Sequence, residues 1–271
     1  MTVAAPARFD LDAPVLDHRP VAPGIHELTV EAPGVAAAAR PGQFCMLAPA
    51  AADARDPLLR RPLSIHRVAD GGRVVFLYRV VGRGTALLAA RRPGDLVRVL
   101  GPLGRGFTPG AGPAVLVGGG MGIAPLLFLA ERLPAGHGHA VVLGARTAAE
   151  LPGLDRFEAA GHRLLVATED GSLGEKGLVT GILEGLLEEA AGGDGPALFA
   201  CGPWPMLRAV REAAAAKRLP LQVSLETRMA CGVGLCLGCA VPRPSGEGYH
   251  HVCREGPVFD AEAVSWEAPP P

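Results

Sequence analysis

The 271-residue sequence has almost no net charge, since 26 Lys and Arg against 27 Asp and Glu give −1. It also lacks a basic block, so the electrostatic footprint of a nucleic-acid binder is missing. No repeat of fixed period is present, which removes solenoids and propellers. The opening MTVAAPARFD has no basic stretch leading into an apolar one, so no secretory leader is expected and the cytoplasm is the expected location. Nor is there an apolar run fit to span a bilayer. Residues 106–130 come nearest, with no charged side chain and the ending PLLFLA. Gly118, Gly119, Gly120, Gly122, Pro113 and Pro125 break that run into a short strand, a tight loop and an amphipathic helix, whereas a span needs ~20 predominantly apolar residues.

What is abundant is glycine (37) and proline (26), in a chain that is 49% hydrophobic. That combination describes a folded, turn-rich protein and argues against long helical bundles. Domains are typically ~100–200 residues, so two are expected, with room for a small third module. Within residues 21–100 the runs GIHELTVEA, QFCMLA, LSIHRV, RVVFLYRVV and DLVRVL alternate with Gly and Pro, as in an antiparallel barrel or sandwich. TALLAARR is the only helical fragment expected there. From Ala114 four strand-then-helix units follow (AVLVGGG/APLLFLAERL, AVVLGA/LPGLDRFEAAG, RLLVAT/VTGILEGLLEEAA, ALFACG/PMLRAVREAAAAKRL), which imply a parallel sheet covered by helices. The stretch 101–113 reads as the hinge between the halves. After LQVSLE regular periodicity is lost, and the tail WEAPPP offers nothing to fold around.

Cys231, Cys236, Cys239 and Cys253 crowd into that last part. Without a leader, clustered cysteines point to metal or redox work more than to disulfides. Their C-x4-C-x2-C…C spacing is that of plant-type 2Fe-2S clusters. Gly232, Gly234 and Gly238 suit a loop whose amides must approach sulfur closely. The competing assignment is a structural zinc, whose ribbons usually pair two C-x2-C knuckles; here there is one. Cys45, inside a predicted strand, reads as a small buried hydrophobe.

Three further segments carry cofactor signals of lower specificity. Arg61-Pro62-Leu63-Ser64 opens a strand; the Arg can clamp a phosphate and the Ser hydroxyl can reach a flavin ring. Tyr78-Arg79-Val80 is followed by Gly82-Arg83-Gly84-Thr85, where glycines open a short helix with Thr85 as its expected N-cap; an ordinary glycine turn and cap would look the same. Gly118 to Pro125, with Gly119, Gly120, Met121 and Gly122 at its centre, and Cys201-Gly202-Pro203 both follow sheet strands, at the edge where parallel sheets bind nucleotides. Cys201 could lie against a nicotinamide or simply be buried. Arg146, after the second sheet strand, is placed either for a 2′-phosphate or as a solvated surface residue.

Taken together, RRPLSIHR, YRVVGRGTALL, GPLGRGF, GGGMGIAPLL, CGPWPMLRAV, SLETRMACGVGLCLGCAVP and HVCREGPVFDA resemble the ferredoxin-NADP reductase superfamily over nearly the whole chain. Within it they resemble the branch of dihydroorotate dehydrogenase B electron transfer subunits. The resemblance implies a β-barrel FAD domain (1–105), a nucleotide-binding α/β domain (106–222) and a 2Fe-2S module (223–271). Arg61, Pro62, Leu63, Ser64, Tyr78, Arg79, Val80, Gly84 and Thr85 would hold FAD; the four clustered cysteines would hold the 2Fe-2S cluster. NAD would be seated by Gly119, Gly120, Met121 and Gly122, with Cys201 as the catalytic neighbour of the nicotinamide. Leu63 stands where many reductases of the superfamily place a flavin-stacking aromatic. The implied activity is electron transfer from the FMN of a separate dihydroorotate-oxidising subunit to NAD⁺ in pyrimidine biosynthesis, in a heterotetramer of two of each. The alternatives are a related subunit of an NAD(P)H-ferredoxin or sulfide oxidoreductase, and a non-redox zinc protein. Met229, Val233 and Leu235 flank the cysteines as the expected docking surface.

Overall fold

A computed structural model describes residues 7–50, 56–189 and 195–270. The first half is a closed six-stranded antiparallel barrel. Its strands are β1 (Phe9–Ala22), β2 (Ile25–Glu31), β3 (Phe44–Leu47), β4 (Arg61–Ala69), β5 (Arg73–Arg79) and β6 (Leu96–Leu103), in the order β1-β2-β5-β4-β3-β6. Alternation sets which side chains fill it: Val74, Phe76 and Tyr78 point inward, with Val15, Leu28, Val30, Ile65 and Val99. Cys45 is in this core, fully buried. Among the described residues two helices accompany the barrel, α1 (Pro33–Ala38) and α2 (Arg83–Ala89). The sequence reading missed α1, a six-residue piece begun by Pro33 at N1 and otherwise made of Gly, Val and Ala.

The second half runs β7 (Ala114–Gly119), α3 (Ile123–Arg132), β8 (Ala140–Ala145), α4 (Leu154–Ala159), β9 (Arg163–Thr168), β10 (Glu175–Lys176), α5 (Val179–Glu189), β11 (Ala197–Cys201), α6 (Trp204–Lys217) and β12 (Leu221–Ser224). The last two residues of the expected fifth-helix pattern, Ala190 and Ala191, lie outside the described residues. All four expected strand-then-helix units form. The helix α3 differs from expectation: Ile123 to Ala130 are all buried, because the barrel packs on the face that would otherwise meet water. Across that contact Arg67 of β4 pairs with Glu131 at 3.1 Å, and Arg156 of α4 reaches the buried Glu27 of β2 at 3.2 Å.

The chain beyond Leu225 is more ordered than its lost periodicity suggested. It contains β13 (Ala240–Pro242), β14 (Tyr249–His251) and β15 (Val258–Asp260). β13 and β14 form a small hairpin, while β15 adds antiparallel to β12 and completes the sheet order β10-β9-β8-β7-β11-β12-β15. Three-residue strands are too short for an alternating pattern to show. The tail is also anchored: Trp266 stacks on Trp204 with ring centroids 4.6 Å apart and donates Nε1–H to the Ala261 carbonyl at 2.8 Å. The expected hinge is tied to the sheet, as the Gln222 amide exchanges two 2.9 Å hydrogen bonds with the Thr108 backbone.

Candidate functional site

Along the sheet, β7, β8 and β9 step outward in one direction and β11 and β12 in the other. The reversal falls between β7 and β11, the position where open α/β sheets bind ligands beyond the carboxyl ends of their strands. A cavity of about 540 Å³ opens there, walled by Gly119, Gly120 and Met121 after β7, Ala145 and Arg146 after β8, Glu169 after β9, and Pro203 and Met206 after β11. Glycine is required where the two loops meet. A Cβ on Gly122 would come within 2.6 Å of the Gly202 nitrogen, and one on Gly119 within 2.5 Å of the Met206 sulfur.

A second cavity, of about 320 Å³, lies between the barrel and the sheet. Arg61, Pro62, Leu63 and Ser64 of β4 line one wall with Tyr78, Arg79 and Thr85; Met121, Ala124, Ser224, Glu226 and Met229 line the other. Gly84 lets the Arg61 guanidinium lie against the start of α2, since a Cβ there would come within 2.6 Å of Cζ. Thr85 is the third residue of the helix and Gly82 its N-cap, so the expected capping role is corrected. Its hydroxyl reaches back to accept from the Val81 and Gly82 amides at 2.9 and 3.2 Å. Val80 is held by a 2.8 Å bond from its amide to the Gly24 carbonyl, and it is Val81 that borders the cavity.

The structure adds residues that sequence reasoning passed over. His18 donates from Nδ1 to the Arg91 carbonyl at 2.8 Å, so its Nε2 accepts from the Tyr78 hydroxyl at 3.0 Å. Tyr78, His18 and His26 form a cluster of three rings, each within about 6 Å of the other two, and burial raises the pKa of Tyr78. His66, inside the RRPLSIHR segment, is buried and bonds the Ala124 carbonyl at 2.7 Å. Desolvation pushes its pKa down to about 4. Glu226 keeps solvent access at the cavity mouth, yet surrounding protein raises its pKa. His18, His26 and Glu226 carry no motif; only the fold brings the two histidines to Tyr78 and Glu226 to the cavity.

Arg79 and Met121 wall both cavities, which therefore adjoin. Cys201 lies behind them, 1% exposed, paired in register with Ser224 of the second cavity's wall. Its thiol is buried in the sheet rather than on a cavity surface, and desolvation, with Glu226 adding to it, raises its pKa.

Two residues beyond Met229 of the second cavity's wall begins the cysteine loop. It wraps closely on the barrel: Gly232 has φ +73° and a Cβ there would meet Met46 Cγ at 2.5 Å. The amides of Val233, Leu235 and Cys236 all donate to Cys231 Sγ at 3.4 Å. Desolvation opposes the thiolate, but these donors outweigh it and hold Cys231 at about 6. Cys231 meets Cys236, and Cys239 meets Cys253, where burial and then the neighbouring thiol push Cys253 up to about 12. Among the described residues no three His, Cys, Asp or Glu side chains surround a single metal-ion position. Two pairs of thiols with inward amides fit two bridged irons better than one tetrahedral zinc.

The family described as iron-sulfur cluster binding domain of dihydroorotate dehydrogenase B matches residues 226–265. The chain is 44% identical over 258 residues to the dihydroorotate dehydrogenase B (NAD(+)) electron transfer subunit of Geobacillus thermodenitrificans, covering 92% of this chain and 96% of the relative. It is 40% identical over 261 residues to the subunit of that name from Caldanaerobacter subterraneus subsp. tengcongensis, covering 95% and 99%. Among solved structures, an NADH-dependent reduced ferredoxin-NADP oxidoreductase superposes with TM-score 0.82 at 32% identity, covering 98% of this chain and 92% of that one. A Neisseria gonorrhoeae ferredoxin NADP+ reductase with bound FAD and NADP has TM-score 0.63 at 18% identity, covering 76% and 91%, a likeness of fold alone.

Proposed function

The chain belongs to the family of dihydroorotate dehydrogenase B electron transfer subunits, and from that premise we propose that it carries electrons from a dihydroorotate-oxidising FMN subunit through a 2Fe-2S cluster and FAD to NAD⁺. The observation that carries this reading is the contiguity of its sites: the dinucleotide cavity shares Arg79 and Met121 with the flavin cavity, and Met229, two residues before Cys231, lines the flavin cavity as well. Flavin supplies the conversion between hydride exchanged with a nicotinamide and single electrons exchanged with a cluster.

In this reading residues 1–105 hold FAD, 106–222 hold NAD and 223–271 hold the cluster. Arg61, at the α2 end, would supply the phosphate-binding charge, and Ser64, on β4 beyond Pro62 and Leu63, would offer its hydroxyl to the flavin. Tyr78, Arg79 and Thr85 line the same cavity, Val80 and Gly84 support its rim from behind, and Leu63 packs where an aromatic would stack. Gly119, Gly120, Met121 and Gly122 let the backbone approach the dinucleotide closely. Cys201 backs the nicotinamide end through Ser224. Cys231, Cys236, Cys239 and Cys253 ligate the irons, and Cys231 is prepared for this by three amides that favour its thiolate. Substrate oxidation belongs to the partner in a complex of two of each chain, working in the cytoplasm; no helix among the described residues is long and apolar enough to cross a membrane.

The test is co-expression with a dihydroorotate-oxidising subunit. Dihydroorotate-dependent NAD⁺ reduction is expected to require this chain and to be lost in Cys236→Ala. NAD⁺ reduction by the partner alone would overturn the proposal. The likeness to the ferredoxin-NADP oxidoreductase favours a second reading, in which a different partner feeds the cluster; failure to associate with the dihydroorotate-oxidising subunit would favour it.

A further inference from the structure

The dinucleotide cavity contains an unresolved contradiction of charge. Arg146 follows β8 directly, a place from which an arginine can receive the 2′-phosphate of NADP. Its guanidinium is already occupied. Glu150, in the short turn Ala148–Glu150, accepts from Arg146 Nη2 at 2.5 Å and from Nε at 3.4 Å. The same carboxylate lies 3.7 Å from Arg79, the residue shared with the flavin cavity. Glu150 is largely covered, with 19% of its side chain exposed, and is therefore fixed from two sides, whereas Arg146 is 69% exposed. Glu169, at the end of β9, adds a second carboxylate to the same wall.

We propose that Glu150 sets the dinucleotide preference: by pairing with Arg146 it denies that cation to a 2′-phosphate, and the cavity selects the unphosphorylated ribose of NAD. The inference rests on reading this cavity as the dinucleotide site. Released from Glu150, the exposed Arg146 guanidinium would be free to pair with a 2′-phosphate, a charge-assisted contact whose gain changes affinity by about tenfold.

The test is isothermal titration of NAD⁺ and NADP⁺ into the full chain carrying its FAD, reading the ratio of the two dissociation constants. Wild type is expected to favour NAD⁺. In Glu150→Gln and in Glu150→Ala the ratio should move toward NADP⁺ by about tenfold, and adding Arg146→Ala to either should remove that gain. The isosteric Gln and the truncating Ala at Glu150 guard against a defect peculiar to one of them, and bound flavin reports folding. An unchanged ratio in both variants overturns the inference, as does a gain that persists without Arg146, which would signal general repulsion. Binding of neither dinucleotide to wild type overturns the cavity reading and the inference with it.

Discussion

His66 Nδ1 donates to the carbonyl oxygen of Ala124 across 2.7 Å, both groups buried. The bond ties the strand that presents Arg61 to Ser64 to the first turn of the helix that follows the glycine loop. The walls of the two adjoining cavities are thereby fixed relative to each other. His66→Ala removes a buried hydrogen bond and leaves a void, which should cost about 2–4 kcal/mol in denaturant unfolding. A loss below about 0.5 kcal/mol would show that the contact holds nothing in place.

Acidification should weaken the fold through the same residue. Burial lowers the pKa of His66 to about 4, and also lowers those of His26 and His139. The unfolded chain then binds more protons than the folded one, so stability is full above about pH 6.5 and falls as pH drops toward about 4. His139 adds a specific reason, because its Nδ1 accepts the Ala114 amide at 3.0 Å and loses that role when protonated. Glu131, raised by burial, acts in the opposite sense. Urea melts at pH 7 and pH 5 check this; equal stability at both would contradict it.

The parts of this molecule legible in the sequence were those with local grammar. Short β-branched and aromatic runs such as RVVFLYR, set between Gly and Pro, announced the barrel, and the strand-to-helix rhythm after Ala114 announced the sheet. The cysteines were legible because their spacing is set by the geometry of one loop. What stayed hidden depends on contacts distant in sequence. That Met121, expected in the dinucleotide loop, also walls the flavin cavity emerges only when β5 is brought beside it, and the burial of α3 on both faces follows only from the barrel docking there. Glu150 gains meaning from Arg79, seventy-one residues earlier. Short strands such as β15 are fixed by their partner β12 and not by their own pattern.

Leu235 is 81% exposed and Leu237 56%, beside the cysteine pairs, whereas Met229 and Val233 pack partly on the core. The docking surface proposed for the catalytic partner is therefore centred on the two leucines. Leu235→Glu should leave unfolding unchanged and weaken association at least about tenfold, the scale of a central interface residue. Undiminished co-elution on size-exclusion chromatography would remove Leu235 from the interface.

A methyl group on Gly122 has no room beside the Cys201 carbonyl and the Gly202 amide. Gly122→Ala should displace the glycine loop and lower NAD⁺ affinity by about tenfold or more, with FAD content retained because the opposite flavin wall is built from the barrel. Unaltered NAD⁺ binding by calorimetry would place the dinucleotide elsewhere.

The electron-transfer claim meets its most direct test in the visible absorbance spectrum of the purified chain, recorded anaerobically before and after NADH, with flavin, iron and acid-labile sulfide assayed on the same sample. The expected result is one flavin with about two irons and about two sulfides per chain, flavin and cluster bands that both bleach on NADH, and loss of the cluster band alone in Cys236→Ala. A colourless protein containing zinc and no sulfide, unchanged by NADH, would contradict it.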